Sequence, residues 1–276
     1  MSQSSHPPSL LTIAKKTLLE RCDLKKNAAI AVGVSGGADS MALLHCLILA
    51  RASLGFSILA ISVDHGLRAE SAQEVELVRD FCSSWEVPFE AVSLGLSKSA
   101  NQQARARDAR YKKLWEEAQL RLGADCYLAT AHHKDDRAET VLLRMLRGTS
   151  LAGLGVLPPR QQQLLRPLIL ASRADIELHI ERHQIPFVTD PSNADPHYLR
   201  ARVRHELLPL LKTLGPGVVE HLALLAEEAT DLPEPLGLSR EHRAQLRKAA
   251  LDPRVAIDLR LPAGLRLFRE PRQRPQ

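Results

Sequence analysis

The sequence predicts an α/β protein: a Rossmann-like parallel sheet with helices on both faces, followed by a small, mostly helical domain. Over the first two-thirds of the chain, short apolar runs alternate with longer segments of helical period, which is the spacing of repeated β-α-β units. Several runs are continuously apolar, as strands buried on both faces are. The 276 residues, 45% hydrophobic and 25% charged, suffice for one large and one small domain.

The elements follow in order along the chain. "TIAKKTLLERC" is amphipathic and predicts a first helix. The predicted strands cover residues 28–34, 57–63, 89–94 and 126–130. The predicted helices that follow them cover about 39–52, 70–85, 101–121 and 135–147.

The pattern changes after residue 148. A Gly- and Pro-rich stretch over 148–163 predicts a loop, and Ser172 with Asp175 three residues on is typical of a helix start. Helix then returns through about 210. "LGPG" at 214–217 predicts a boundary, so the domains are 1–213 and 214–276, and the tail predicts a hairpin around Pro262–Gly264.

Positive charge is concentrated near the end of the chain. Residues 240–276 carry ten Arg and Lys against four Asp and Glu, while the whole chain has a net charge of +5. A basic tail favours a polyanion partner such as nucleic acid, although a solvated helix face gives the same pattern.

The remaining composition indicates a cytoplasmic protein. The longest apolar stretch ends after ten residues at Arg51, which is too short to cross a bilayer, and the start has no secretory pattern. The four cysteines are widely spaced without a C-x-x-C pair, which is typical of buried structural thiols.

A glycine-rich loop, Ser35-Gly36-Gly37-Ala38-Asp39-Ser40, joins the first predicted strand to the next helix. Two residues without a Cβ let the backbone approach a ligand, and the helix start offers free N–H groups to anionic oxygens. The spacing excludes both G-x-x-x-x-G-K-[ST] and G-x-G-x-x-G. Taken alone, the loop also fits a mere tight turn.

Acidic residues crowd the start of the helix after the fourth strand, in "AHHKDDRAET". Asp136 and Glu139, at i and i+3, share a helix face and can together hold a cation. The helix dipole alone accounts for one such carboxylate, but poorly for the whole His-His-x-Asp-Asp-x-x-Glu set. Arg107 and Arg110 have the same spacing in "NQQARARDARY", where a solvated basic face is the alternative.

These stretches carry a resemblance to a known family. The S-G-G-x-D-S loop resembles the pyrophosphatase loop of the N-type ATP pyrophosphatases, or PP-loop enzymes. "VDHGLRAES" (63–71), "NQQARARDARY" (101–111), "AHHKDDRAET" (131–140) and "DPSNADPHYLRARVR" (190–204) resemble the motifs of one branch, the tRNA(Ile)-lysidine synthetases. The similarity covers about residues 28–210, and the separate C-terminal domain of longer members is expected to be absent.

The resemblance implies an ATP-dependent ligase. AMP is placed on O2 of the first anticodon cytidine of minor tRNA(Ile) (CAU anticodon), pyrophosphate leaves, and free L-lysine then attacks C2 and expels AMP. ATP and Mg²⁺ are the implied cofactors. No membrane partner is expected, and a homodimer is included among the implied assemblies.

The resemblance also implies roles for particular residues. The implied ATP-binding residues are Ser35, Gly36, Gly37, Ala38, Asp39, Ser40, Val63, His65 and His132, with Mg²⁺ near Asp39. The implied catalytic residues are Asp39, His133, Asp136 and Glu139. The residues implied to bind lysine and tRNA are Arg107, Arg110, Asp136, Glu139, Asn193, Tyr198, Arg200 and Arg204. Lysine must lose a proton before it attacks, and His133 or Asp136 is the expected base.

The chain departs from the family pattern at four places. Ala201 stands where Asn is usual, Val203 where Ile is usual and Arg137 where Gln is common, and Thr149-Ser150 lacks the second Gly. The rival hypotheses are a tRNA thiolase, which commonly needs paired cysteines, a small-molecule amidating ligase, and an ATP-binding module without catalysis.

Overall fold

The computed structural model describes residues 8–64, 69–93, 102–189, 198–230, 245–246, 248, 256–260 and 266–269. The strands are β1 (Ala29–Gly33), β2 (Ser57–Asp64), β3 (Phe89–Ser93), β4 (Tyr127–Ala129), β5 (Arg160–Gln161), β6 (Leu164–Leu165), β7 (Ile257–Arg260) and β8 (Arg266–Arg269). The helices are α1 (Leu10–Lys16), α2 (Ala38–Leu54), α3 (Ala69–Ser84), α4 (Gln102–Leu122), α5 (Lys134–Arg147), α6 (Arg173–His183), α7 (Leu199–Arg202), α8 (Leu208–Leu214) and α9 (Val218–Thr230). Among these helices, none combines the length and apolar character needed to cross a bilayer.

The six-stranded sheet has the order β3-β2-β1-β4-β6-β5. The chain moves outward from β1 to β3 and then crosses back to β4 on the other side of β1, with parallel pairing throughout this part. The connections therefore diverge between β1 and β4. In open α/β sheets this divergence leaves a crevice at the carboxyl ends of the strands.

The core lies on both faces of the sheet, as alternating side chains along a strand require. Ile30 and Val32 of β1 point to a larger cluster formed with α1, α2, α3 and α6. Ala31 points the other way, to a cluster with Leu114 and Ala118 of α4. Helices on both faces explain why the strand sequences are continuously apolar.

The predicted fold class is confirmed. Strands β1 to β4 and helices α2 to α5 lie within two residues of their predicted bounds, and β7 pairs with β8 as the predicted hairpin. The stretch 148–163 is largely loop, as predicted, but it also contains short elements that were not predicted. That stretch contains a 3₁₀ turn at Ala152–Leu154 and strand β5, which pairs antiparallel to β6 at the sheet edge. Such two-residue strands are fixed by their neighbours and have no period of their own.

Helix α9 follows the predicted boundary at 214 and packs against α5. Ala226 and Ala229 of α9 meet Val141 of α5 in one apolar cluster, and Val218 and Val219 approach Leu142 in another. Alanine on the facing side lets the two helices lie close together. The described residues just after 214 therefore support the helix that carries the acidic motif.

Candidate active site in the crevice between β1 and β4

The glycine-rich loop leaves β1 and ends at the start of α2. Gly36 is buried with φ +78°, a conformation that glycine adopts without steric cost. The Ser35 N–H donates to Ser40 Oγ at 3.2 Å, and that hydroxyl donates to the Gly37 carbonyl at 2.8 Å. Ser40 therefore fixes the loop from inside.

The first turn of α2 is open to a ligand. Gly37 is its N-cap and supplies no side-chain hydrogen bond. The N–H groups of Ala38, Asp39 and Ser40 need acceptors, and together with the helix dipole they favour an anion. A phosphate group fits this position.

Helix α5 begins at the carboxyl end of β4, beside the glycine-rich loop. The Asp136 side chain accepts from the N–H of the N-cap residue His133 at 3.1 Å, which fixes the first turn. His132 Nδ1 lies 3.0 Å from Thr130 Oγ1. The sheet order therefore brings His132, His133 and Asp136 to the crevice that also holds the loop.

Two carboxylates of α5 bind two arginines from the segment after residue 198. Asp136 Oδ1 accepts from Arg200 Nη2 at 3.1 Å and from Arg204 Nη2 at 3.0 Å. Glu139 accepts from Arg200 Nε at 3.2 Å and from Arg204 Nε and Nη2 at 2.5 and 2.9 Å. We call these four side chains the arginine–carboxylate cluster. Glu139 is 1% exposed, so its charge depends on these partners.

Arg173, the first residue of α6, joins the loop to α5. Its Nη1 donates to Asp39 Oδ1 and Oδ2 at 2.9 and 3.2 Å. Its backbone N–H donates to Asp135 Oδ2 at 3.0 Å, and Lys212 donates to Asp135 Oδ1 at 2.9 Å. Asp39 therefore has a cationic partner across the crevice.

His133 is buried between three carboxylates. Its Nε2 lies 3.4 Å from Asp136 Oδ2 and 3.7 Å from Asp39 Oδ2, and its Nδ1 lies 3.8 Å from Asp135 Oδ2. Burial by itself lowers the pKa of His133, but Asp135, Asp39 and Asp136 outweigh it and raise that pKa to about 10. His133 is therefore an imidazolium at neutral pH.

The two aspartates of α5 respond in the opposite direction. Burial favours their neutral form, yet His133 and Lys212 hold the pKa of Asp135 well below its usual range. For Asp136, burial is again outweighed by His133, His132 and the two arginines, so its pKa is lowered. Both aspartates are ionised at neutral pH.

The structure brings most of the predicted site residues together. The glycine-rich loop, His132, His133 and the arginine–carboxylate cluster all line the crevice. Val63 is half-buried near the carboxyl end of β2, and Tyr198 is 44% exposed. Arg110 is exposed on α4, which follows β3 and so begins at the same sheet edge. His65, Asn193 and the side chain of Arg107 lie outside the described residues.

Sequence reasoning missed Arg173, and gave Asp135 and Lys212 no role. One signal was available for Arg173. It follows the N-cap Ser172 directly, and a cation in the first turn of a helix opposes the helix dipole. An arginine at that position needs a carboxylate from elsewhere, which Asp39 supplies.

The donors present fit a nucleotide triphosphate better than a metal ion. The first turn of α2 has no side-chain cap from Gly37 and offers backbone N–H groups to a phosphate. The Asp39 carboxylate has the oxygens that Mg²⁺ prefers, but both oxygens accept from Arg173. A magnesium ion at Asp39 therefore fits once Arg173 has turned away.

Comparisons with known proteins agree with this geometry. A family model described as a PP-loop domain matches residues 10–211. The tRNA(Ile)-lysidine synthase of Solibacter usitatus is 42% identical over 207 residues, which cover 73% of this chain and 45% of that protein. The protein of the same name from Salinispora arenicola is 42% identical over 204 residues, which cover 71% of this chain and 61% of that protein. The chain spans about half the length of the curated relatives it matches.

A solved structure supports the fold independently. The U34-tRNA thiolase of Methanococcus maripaludis, solved with its [4Fe-4S] cluster, superposes with a TM-score of 0.67. The two proteins are 21% identical, and the likeness covers 82% of this chain and 80% of the thiolase. At that identity the likeness extends to the fold alone.

Proposed function

This chain belongs to the PP-loop domain family, and from that premise we propose that it carries the catalytic site of a tRNA(Ile)-lysidine synthase. The proposed reaction attaches lysine to C2 of the first anticodon cytidine of minor tRNA(Ile) (CAU anticodon), with release of AMP and pyrophosphate. ATP, when bound, supplies the AMP group that activates O2 of the cytosine. The observation that carries the proposal is the arginine–carboxylate cluster, which stands beside the phosphate-binding loop.

The proposed role of the loop is to hold the phosphates. The first-turn N–H groups of α2 donate to phosphate oxygens, and Ser40 keeps the loop in shape through its hydrogen bonds with Ser35 and Gly37. His133, as an imidazolium within 3.7 Å of Asp39, adds positive charge at this position. We propose that a Mg²⁺ ion accompanies the phosphates at Asp39 after Arg173 has moved aside.

The proposed role of Arg200 and Arg204 is to orient the activated base and the RNA backbone. About a third of each side chain is exposed, so each arginine is partly accessible to a ligand. Glu139 is then a positioning residue, because its oxygens bind the two arginines. Capture of the lysine ammonium group by Glu139 would require one arginine to leave.

Lysine has to lose a proton before it attacks C2, since its free pKa is about 10.4. Asp136 is the better of the two candidate bases. It is ionised at neutral pH, although its lowered pKa makes it a weak base, whereas His133 has no lone pair free until it loses its own proton. Asp136 also lies against both arginines that would hold the activated cytosine.

The cysteines favour ligation over thiolation. All four cysteines, Cys22, Cys46, Cys82 and Cys126, are buried and free. Burial raises the pKa of Cys22 to about 11 and the pKa of Cys46 to about 12, so they are protonated thiols at neutral pH. A cysteine that transfers sulfur or binds a metal cluster acts as a thiolate.

The test is an assay with Mg-ATP and radiolabelled lysine on two RNAs, minor tRNA(Ile) and tRNA(Met) with the same anticodon. Label in tRNA(Ile) alone, with AMP and pyrophosphate released, is the expected result. AMP release without lysine transfer would keep the adenylation chemistry and refute lysine as nucleophile. An absence of ATP turnover with either RNA would refute the proposed enzyme.

Asp136→Ala should abolish both lysine transfer and AMP release while the chain still unfolds cooperatively. Full activity in this variant would contradict the roles given to Asp136. The cytoplasm, where tRNA and free lysine are found, is the proposed location, and a homodimer remains part of the prediction.

A further inference from the structure

Three histidines lie together away from the crevice. His45 is on the middle of α2, and His179 and His183 are one turn apart on α6. The i, i+4 spacing puts the two α6 side chains on one helix face, and that face packs against α2. The proposed ligase function uses none of the three.

The ring nitrogens have nearly the separation that one metal ion requires. His45 Nδ1 lies 3.0 Å from His179 Nε2, and one nitrogen from each of the three rings falls within 4.8 Å of the others. A tetrahedral ion with Zn–N bonds of about 2.0–2.1 Å sets its ligand nitrogens about 3.3 Å apart. Small side-chain rotations therefore suffice to bring the three nitrogens around one ion.

The surroundings suit neutral, metal-binding imidazole. His45 and His179 are buried, and Trp85 and Phe81 pack edge-on against His45 with ring centroids 5.2 and 6.2 Å away. Burial, with a smaller effect from His183, lowers the pKa of His45 and of His179 to about 4. Both rings are thus neutral at neutral pH, and the proton between His45 Nδ1 and His179 Nε2 has only to move to the opposite nitrogen of its own ring before both nitrogens can bind an ion.

The cluster also has an entrance. His183 is exposed, so an ion can reach the two buried rings from solvent and keep a water molecule in the fourth position. Three histidines with one open position form a known zinc-binding arrangement. Imidazole ligands favour zinc, nickel and copper over magnesium or calcium.

We propose that His45, His179 and His183 bind one divalent transition-metal ion of the zinc class. The ion cross-links α2 to α6. These two helices carry Asp39 and Arg173 at their N-terminal ends, so the link holds the two sides of the crevice together. This site is separate from the magnesium proposed at Asp39.

The test uses the full chain, stripped with EDTA and dialysed into metal-free buffer. Co²⁺ is titrated and followed by its visible absorption, because tetrahedral cobalt absorbs strongly. Zn²⁺ content is measured after dialysis against a low concentration of the ion, and the thermal midpoint is measured with and without Zn²⁺. His183→Ala is the test variant because His183 is exposed and its loss should not disturb folding. His205→Ala is the matched control, since His205 is an exposed histidine on the helical segment Val203–Leu207, which joins α7 to α8.

We expect about one Zn²⁺ per chain, a tetrahedral cobalt spectrum and a higher midpoint with Zn²⁺ in the wild type and in His205→Ala. His183→Ala should bind Zn²⁺ at least tenfold more weakly and lose the midpoint shift. Wild type that retains no metal would overturn the proposal. Equal metal binding by wild type and His183→Ala would overturn it as well, because the ion would then lie elsewhere.

Discussion

Removing the charge of Glu139 tests whether the arginine–carboxylate cluster stabilises the fold. In Glu139→Gln the side chain keeps its size and one acceptor but loses its charge, so the three hydrogen bonds from Arg200 and Arg204, of 3.2, 2.5 and 2.9 Å, lose the carboxylate and at least one of them is broken. Loss of one partner from a buried ion pair costs about 3–5 kcal/mol. Both arginine side chains are about one-third exposed and therefore partly solvated, so the lower end, about 3 kcal/mol, applies.

Thermal unfolding gives the measurement. For a chain of this size a loss of 1 kcal/mol lowers the midpoint by roughly 2–4 °C, so Glu139→Gln should unfold roughly 6–12 °C below wild type. The matched control is Glu206→Gln, which breaks the Arg202–Glu206 pair on the helical segment that also carries Arg200 and Arg204. Both of those side chains are more than half exposed, so this midpoint should not change.

A double-mutant cycle isolates the pair itself. Glu139→Gln, Arg204→Gln and the double variant are compared by denaturant unfolding, and the coupling should exceed about 0.5 kcal/mol, as for residues in direct contact. AMP release is measured on the same proteins and should fall with Glu139→Gln. A midpoint within 1 °C of wild type, or additive effects in the cycle, would refute the reasoning that Glu139 holds the arginines.

Three further predictions follow from single features of the structure. Gly36→Ala should weaken ATP binding at least tenfold because the loop requires φ +78° at this residue. Gly55→Ala, at φ +69° in the C-cap of α2, should have a similar backbone cost without changing ATP binding. Equal ATP affinities of Gly36→Ala and the wild type would contradict this role of the loop. The raised pKa of His133, about 10 against 6.5 unfolded, contributes stability that is complete below pH 6.5 and lost as the pH rises through 10. The free-energy difference between wild type and His133→Gln should therefore shrink between pH 6 and pH 10 in denaturant titrations, and a constant difference would refute the shift. The four buried cysteines should react with a thiol reagent at pH 8 only after unfolding, and rapid labelling of the native protein would contradict their burial.

The sequence predicted those features that depend on local patterns. The glycine-rich loop follows a continuously apolar strand and precedes a helix, and each of these signals lies within a few residues of the others. The same holds for the start of α5, where the acidic residues, the N-cap and the helix period coincide. The sheet order, which brings both segments to one crevice, was not predicted and is seen only in the structure.

Contacts between distant segments could not be predicted in this way. Arg173 and Asp39 are 134 residues apart, as are His45 and His179. Their meeting depends on how α6 packs against α2, and that packing is decided by apolar side chains such as Ile176 and Leu43 that join many elements in one core. Strand β5 has two residues and likewise depends on its partner β6.

The charge of the crevice illustrates the same limit with a consequence for ligand binding. The sequence pattern indicates an acidic site around Asp136 and Glu139, suited to a cation. In the structure the carboxylates of the crevice already have cationic partners, namely Arg173, Arg200, Arg204, Lys212 and the imidazolium of His133. A triphosphate arriving at the loop therefore meets positive groups that are balanced by carboxylates. Binding must exchange a carboxylate partner for a phosphate oxygen, and Arg173 is best placed for this exchange because it is 44% exposed and lies directly against Asp39. Freeing Asp39 in that exchange would leave its carboxylate available to Mg²⁺, so phosphate and metal binding should favour each other.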